Sequence, residues 1–540
     1  MPSLESLPAE LLLNVVEYIP RPSDRKSLCL VCKLLRVPAT TLLYQRVVLD
    51  NTTPKWTSFK PETGMLFKTN PGLGQIRHVT FDSMSKKVLP EEVQAMTAVL
   101  QSLPRNTLRS IDCRRFAVDE KIASLVIAQQ RNLISLALGP LTFNLTPFIK
   151  LELFGPSTFA NVTTLEVPLI IGSLDDLELY QWFIARAPLR RLAIRTELSC
   201  NPLPGGLFDS NGSDGLLSRT LFSHLTNDST APRAQIEGLG MEYTNLQQAT
   251  RTFSRFVDFS HLRSLELYDC AGTDVFIDAM AGHFQEHGGC KLEHFAYSIV
   301  EEDHISYKVV EKVLRTCEGL KSLMLFGIDD FAHFDLKLFQ KHGSSLQALA
   351  LQPDASEDSD CEEMGLTKGF YSTIAAHCQN LRELALPMPD VQFGIDEPRA
   401  SQDFDSAMLA LLGLPDLKSF RVFNWPVPAK AFPEDTTDDP LLQRDYMLEM
   451  DDFAYTHLAK LVNQREQTHS PPILCFAGLS GNKAVYDNEE LQLPGPVCYV
   501  PLKQGDGFAK PQIGLQKMTL SDVEYVEPEV KILRWPFTLL

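Results

Sequence analysis

Cys317-Glu318-Gly319-Leu320-Lys321-Ser322-Leu323-Met324-Leu325 sets three leucines in the spacing L-x-x-L-x-L, three residues after a cysteine. The same arrangement returns at Cys378-Gln379-Asn380-Leu381-Arg382-Glu383-Leu384-Ala385-Leu386, and the leucine spacing alone at Leu262-x-x-Leu265-x-Leu267 and Leu346-x-x-Leu349-x-Leu351. Softer copies begin at Ile76, Leu108, Leu133, Val162, Leu189, Ile236, Leu292 and Leu417. Starts at 236, 262, 292, 320 and 346 are 26, 30, 28 and 26 residues apart. The closing L-x-L puts two leucines on one face of a strand, and stretches of helical spacing at 93–103, 174–187, 275–284, 307–314 and 370–376 fall between the strands. One strand and one helix cannot bury their apolar sides alone. Stacked copies can, with the strands in one parallel sheet, the helices outside and the leucines interdigitated between them.

This unit resembles the leucine-rich repeat, and the cysteines at 317, 378 and 270 resemble its cysteine-containing class. The expected fold is therefore α/β, a solenoid with a curved parallel sheet over residues 51–478. Insertions are expected near 198–232, 352–366 and 426–445. The first is rich in Pro, Gly and Asn, and the other two hold the acidic runs Asp354 to Glu363 and Glu434 to Asp439. A helical segment is expected from about 444 to 467, before a last repeat strand at Ile473-Leu474-Cys475-Phe476. Beyond residue 478 the period is lost. Short strand-like runs at 497–502, 513–520 and 530–535 suit a cap on the last repeat, or a tail running back over the concave sheet.

The first fifty residues follow another pattern. Leu7-Pro8-Ala9-Glu10-Leu11 opens a helix that Pro20 and Pro22 end near Ile19. Leu11, Leu12, Leu13, Val15, Val16 and Ile19 cover roughly 200° of it, against the ~100° stripe that one core needs. One face is left over, which suits either a larger helical domain or a partner protein. Leu7-Pro8-x-Glu10, the apolar run to Ile19-Pro20, Leu28-x-Leu30-Val31-Cys32-Lys33 and Leu43-Tyr44 resemble the F-box, a small three-helix segment. That resemblance implies docking on a Skp-family adaptor through Leu7, Pro8, Glu10, Leu11, Val15, Leu30, Val31, Cys32 and Leu43. Leu35 and Tyr44 stand where that family often has tryptophan. An F-box at 1–50 followed by repeats resembles the leucine-rich-repeat F-box proteins, of a divergent, loop-interrupted fungal kind.

Net charge is −18 over 540 residues, which argues against a phosphate-backbone binder, since that needs a basic footprint. No run is long and apolar enough for a membrane span and no secretory signal is recognised, so the chain is expected in the cytoplasm or nucleus, its eleven cysteines reduced. Cys29 and Cys32 form a C-x-x-C without a second pair at zinc spacing and are read as core residues. No phosphate loop, H-E-x-x-H, G-x-S-x-G elbow or dinucleotide fingerprint occurs. No catalytic residue, metal or cofactor is expected.

The resemblances together imply a substrate-recognition subunit of a Skp/cullin/F-box ubiquitin ligase. Such a chain binds the adaptor, and through it a cullin–RING ligase, at one end and an unidentified protein target on the repeat arc. It supplies proximity while other subunits perform the transfer. The alternative is a repeat scaffold with no ligase role. The x positions of L-x-x-L-x-L face the concave side. Candidate target-binding residues are Arg263, Glu266, Lys321, Met324, Arg382 and Glu383, with Tyr268, Phe326 and Trp425 as aromatic anchors just past their strands.

Overall fold

The computed structural model describes residues 7–19, 22–31, 33–50, 72–82, 90–114, 116, 118–139, 160–169, 180, 183, 184, 187–196, 234–242, 244, 246, 257–298, 305–329, 331–353, 366–389, 391, 392, 399–423, 448–464, 471–476, 483–486, 489–492, 497–504, 512–519 and 523. Two units divide the chain: Met1–Ser264 with Cys270–Met280, and Leu265–Asp269 with Ala281–Leu540.

The first unit begins with three helices, α1 (Ala9–Glu17), α2 (Pro22–Val31) and α3 (Lys33–Gln45). Prolines place the boundaries. Pro8, extended at ψ 151°, stands just outside α1, and Pro22 takes the first position of α2, where its missing N–H costs nothing. Arg25 then reaches back with a 2.7 Å bond from Nε to the Ile19 carbonyl, tying the turn between α1 and α2. Leu12, Val16, Leu35 and Ala39 form the helical core, with Leu7, Leu28, Cys29, Leu34 and Leu42 packed around it. Four fully buried side chains, at about 1.5–3 kcal/mol for each large one, are too few to hold three helices alone. The sheet supplies the rest. The Arg77 N–H donates to the Gln45 carbonyl at 3.0 Å, and Gly72 packs so closely on the Tyr44 ring that a Cβ there would stand 2.6 Å from it.

The sheet of this unit is a parallel ladder in chain order: β1 (Arg46–Asp50), β2 (His78–Asp82), β3 (Ser110–Asp112), β4 (Ser135–Ala137), β5 (Thr164–Leu169), β6 (Arg191–Thr196) and β7 (Gly238–Glu242). Val79, Ile111, Leu136, Leu165, Leu192 and Leu239 stand in register across it and are fully buried. Helices Pro90–Ser102 and Glu120–Gln129 connect successive strands. The second is capped by Asp119, whose carboxylate accepts the Ile122 N–H at 2.7 Å.

The chain division falls in and around β8 (Ser264–Tyr268) and the helix Thr273–Glu286. In the second unit β9 (His294–Ser298), β11 (Ser322–Asp329), β12 (Ala348–Pro353), β13 (Glu383–Leu386), β16 (Ser419–Val422) and β17 (Ile473–Phe476) form another parallel ladder, with the short β10 (Ile305–Ser306) on β11 and a small β14 (Val391–Gln392) and β15 (Arg399–Ala400) pair apart. Its buried register row is Phe295, Leu323, Leu349, Leu384, Phe420 and Leu474. Helices Tyr307–Thr316, Lys337–His342, Lys368–His377 and Gln402–Leu412 follow successive strands. Gly319, at φ +73°, makes the left-handed entry into the leucine spacing of β11.

The expected α/β repeat architecture is thus present in both units, and helices at 93–103, 275–284, 307–314 and 370–376 appear within a few residues of their expected bounds. The expected 444–467 helix is seen over 448–464 and includes a π-helical turn at Ala454–Leu458. The sequence pattern missed the helices Glu120–Gln129, Lys337–His342 and Gln402–Leu412. The expected 174–187 helix lies largely outside the described residues. After a separate hairpin of β18 (Lys483–Tyr486) and β19 (Glu489–Gln492), β20 (Val497–Gln504) pairs antiparallel to β17 and β21 (Gln512–Thr519) antiparallel to β20. Strands β20 and β21 therefore cover the open edge of the last repeat, while the expected strand at 530–535 lies outside the described residues.

Candidate functional site

Two kinds of surface stand out, one on the helices and one on the sheet faces turned away from the leucine core. In α1, Leu12 and Val16 point into the helical core and are buried, whereas Leu11 and Val15 are 48 and 44 % exposed. Leu11, Val15 and Tyr18 are spaced i, i+4, i+7 and form one stripe, with Tyr18 almost fully in solvent. At the end of α2, Leu30 and Val31 are 83 and 70 % exposed. Pro8 and Glu10 are exposed, while Leu7 and Leu43 are half-buried. Cys32 lies outside the described residues. Val37 of α3 is a further exposed apolar residue that the sequence reading did not pick out.

On the sheet, the first x of each repeat stands at the start of its strand. In the second unit Lys321, Arg382 and Lys418 are exposed there, joined through Gln347 by backbone bonds from strand to strand. Lys321 pairs with Glu293 at 2.6 Å. In the first unit Arg263 is the exposed residue at the equivalent place before β8.

The x of the closing L-x-L marks the middle of the face. In the first unit this row holds Thr80, Asp112, Ala137, Glu166, Ala193 and Gly240. All but Ala137 are half-buried, so the row is open to solvent. Arg114 bridges it, with Nη2 2.7 Å from Asp112 and Nη1 2.7 Å from Glu166. Burial works against the guanidinium charge, but the Asp112 bond and the Glu166 charge outweigh it and hold the group more firmly protonated than usual. The sequence reading missed this network. Its signal was present in the softer copies starting at Leu108 and Val162, which carry acids at the corresponding x.

In the second unit the same row reads Ala296, Met324, Ala350, Ala385, Arg421, Cys475 and then Cys498 of β20. It is buried along its whole length, with Ala350, Ala385 and Arg421 at 0 % exposure. Tyr268, Phe326, Phe423, Ile473 and Val523 complete the cluster. The Phe326 and Phe423 rings meet edge-to-face at 5.0 Å although β12 and β13 lie between their strands. The Arg421 guanidinium lies 4.9 Å from the Phe423 ring centre, and desolvation pushes its pKa down to about 10. The Cys498 thiol donates to Cys475 at 3.2 Å, and that bond is the first cause of a lowered pKa for Cys475.

Of the residues expected to hold a target, Arg263, Lys321 and Arg382 are thus exposed at strand starts and Glu266 and Glu383 are half-buried. Tyr268, Met324 and Phe326 are buried together in the cluster. Trp425 lies outside the described residues. Among the described residues no group of three or more His, Cys, Asp or Glu is arranged to hold a metal ion, and no helix is long and apolar enough to cross a membrane.

No family model matches the chain, and no curated protein matches it. Among solved structures it is similar to a chain of the crystal structure of a Rad7 and Elc1 complex in yeast, at 17 % identity, with a TM-score of 0.43, over 78 % of this chain and 94 % of that one.

Proposed function

We propose that the chain is the substrate-recognition subunit of a Skp/cullin/F-box type ubiquitin ligase, docking on a Skp-family adaptor through its three N-terminal helices. The observation that carries this reading is the second apolar stripe of α1. Leu11, Val15 and Tyr18 remain in solvent after Leu12 and Val16 have filled the helical core, and Leu30 and Val31 of α2 are also left outside. Five large apolar side chains in solvent on a unit of this size suit a helix-in-groove partner. Four of the five, Leu11, Val15, Leu30 and Val31, are among those that the F-box resemblance assigns to the adaptor; Tyr18 is not. Because α3 is joined to β1 and packs on Leu73–Gln75, a partner held by the helices would be carried at a set position relative to the sheet of the same unit. The chain itself brings no catalytic group to the reaction. Its part is to hold target and transfer machinery together.

The test is co-purification of the full chain with a Skp-family adaptor, alongside Leu11→Asp/Val15→Asp. The reading expects a stable complex with the natural chain and none with the variant, while circular dichroism of the two is the same. Absence of a complex with the natural chain would leave a repeat scaffold without a ligase role.

A further inference from the structure

Cys475 and Cys498 stand opposite each other in the antiparallel ladder of β17 and β20, with their sulfurs 3.2 Å apart. Both are free thiols, and both are fully buried. Residues opposite each other in an antiparallel pair have Cα atoms about 4.5–5.5 Å apart, inside the ~4.4–6.8 Å that a disulfide spans. Side-chain rotation can therefore join the two sulfurs with the backbone left in place. On the other side of Cys475, its register partner in β16 is Arg421. The bond from Cys498 holds the Cys475 pKa down against burial, and the Arg421 charge adds to that. A thiolate at Cys475 is thus favoured with a second sulfur already beside it. The position of the pair matters equally. β20 and β21 pair along their whole length, whereas β17 meets β20 only over 474–476 against 497–499, with the two cysteines in the middle. The rest of the docking is by side chains: the Tyr499 hydroxyl donates to Asp451 at 2.7 Å and Lys517 to the same carboxylate at 2.9 Å. Cys290 and Cys317 are also neighbours, across a parallel bridge, but they join successive repeats that the ladder of β9 and β11 already couples.

We propose that Cys475 and Cys498 form an oxidation site, a thiol pair that a hydroperoxide closes to a disulfide, latching β20 and β21 to the last repeat. The Cys475 thiolate attacks one peroxide oxygen and the O–O bond breaks. With hydrogen peroxide the departing hydroxide takes up the thiol's proton and leaves as water, and Cys475 is now a sulfenic acid. The Cys498 sulfur then attacks the Cys475 sulfur, the S–O bond breaks, and the second hydroxide leaves as water with the Cys498 proton. In sum, two thiols and one hydrogen peroxide give one disulfide and two waters. A dithiol reductant reverses the link and is itself oxidised to a disulfide. The oxidised chain keeps β20 on β17 where the short ladder by itself would open, so the edge of the last repeat is held covered. The inference stands independently of the ligase reading.

The test uses the natural full chain and hydrogen peroxide. After a graded exposure, remaining thiols are blocked, the monomer band of a non-reducing gel is digested, and linked peptides are read by mass spectrometry. Buried Cys113 and Cys378 serve as the measure of an intact fold. The expected result is a peptide pair joined through Cys475 and Cys498 in molecules whose Cys113 and Cys378 are still thiols, with the link removed by dithiothreitol. Hydrogen exchange then reads the latch: amides of β20 should exchange on the order of tenfold more slowly in the oxidised chain and return to their former rate on reduction. Cys498→Ser should abolish that response to peroxide. The proposal is overturned if peroxide leaves Cys475 and Cys498 unlinked at doses that begin to oxidise Cys113 or Cys378. It is overturned equally if the link forms and exchange in β20 does not change, or if Cys498→Ser slows in the same way as the natural chain.

Discussion

His342 ends the helix Lys337–His342 with its ring buried, Nε2 2.9 Å from the Leu314 carbonyl. That carbonyl can only accept, so Nε2 carries the proton and Nδ1 is the bare nitrogen, which has no hydrogen-bond partner. Desolvation, with a smaller contribution from Lys341, holds the pKa below its usual 6.5. A depressed histidine gives stability that is complete above the unfolded value near 6.5 and is lost as pH falls below it through the folded value. Thermal unfolding of the second unit should therefore weaken between pH 7.5 and 5, and His342→Gln should flatten that dependence. Gly72 is the other residue whose identity the packing demands. A methyl group there meets the Tyr44 ring 2.6 Å away, and the ring must move. Gly72→Ala should cost about 1–3 kcal/mol, read as a lowered midpoint in urea. Neither requirement is legible in sequence: a histidine between two repeats reads as a polar turn residue, and nothing in 72's neighbours announces Tyr44, twenty-eight positions earlier.

At the scale of the element, α1 shows how neighbouring positions differ. Leu12→Asp/Val16→Asp buries charge in a core of four residues and should abolish the helical unit's fold. Leu11→Asp/Val15→Asp touches solvent-facing positions and should change stability by no more than about 0.5 kcal/mol for each residue. Helicity by circular dichroism separates the two pairs. In the repeats, Leu349 is buried on both sides by register neighbours Leu323 and Leu384, so Leu349→Ala should cost about 2–5 kcal/mol in denaturant unfolding. The strands were readable because L-x-x-L-x-L repeats a physical requirement at each stack. Their helices were less so. Lys337–His342 spans six residues, too few for the 3.6-residue period to declare itself. Glu120–Gln129 is apolar on most sides, since Ile122, Ala123, Val126 and Ile127 are all buried.

Across the whole molecule, the division into two units predicts unfolding that is not two-state. Stacked repeats couple to their neighbours and weakly beyond them. Leu136→Ala in the first unit and Leu349→Ala in the second should each move a different transition in a calorimetric scan. The sequence alone determined the α/β repeat class and the small helical start, because burial of periodic leucines admits few other solutions. It also singled out the stripe of α1, because a helix with twice the apolar arc that one core needs must leave part of it outside. Which x positions face solvent was decided only in three dimensions. The middle row of the first unit stays open around Arg114, while that of the second is closed around Arg421. Both rows are written in the same spacing, and the buried one shares its cluster with Val523, 255 positions beyond Tyr268 in the chain. A local pattern states which side of a strand a residue occupies. Whether that side is wet depends on contacts that no local pattern contains.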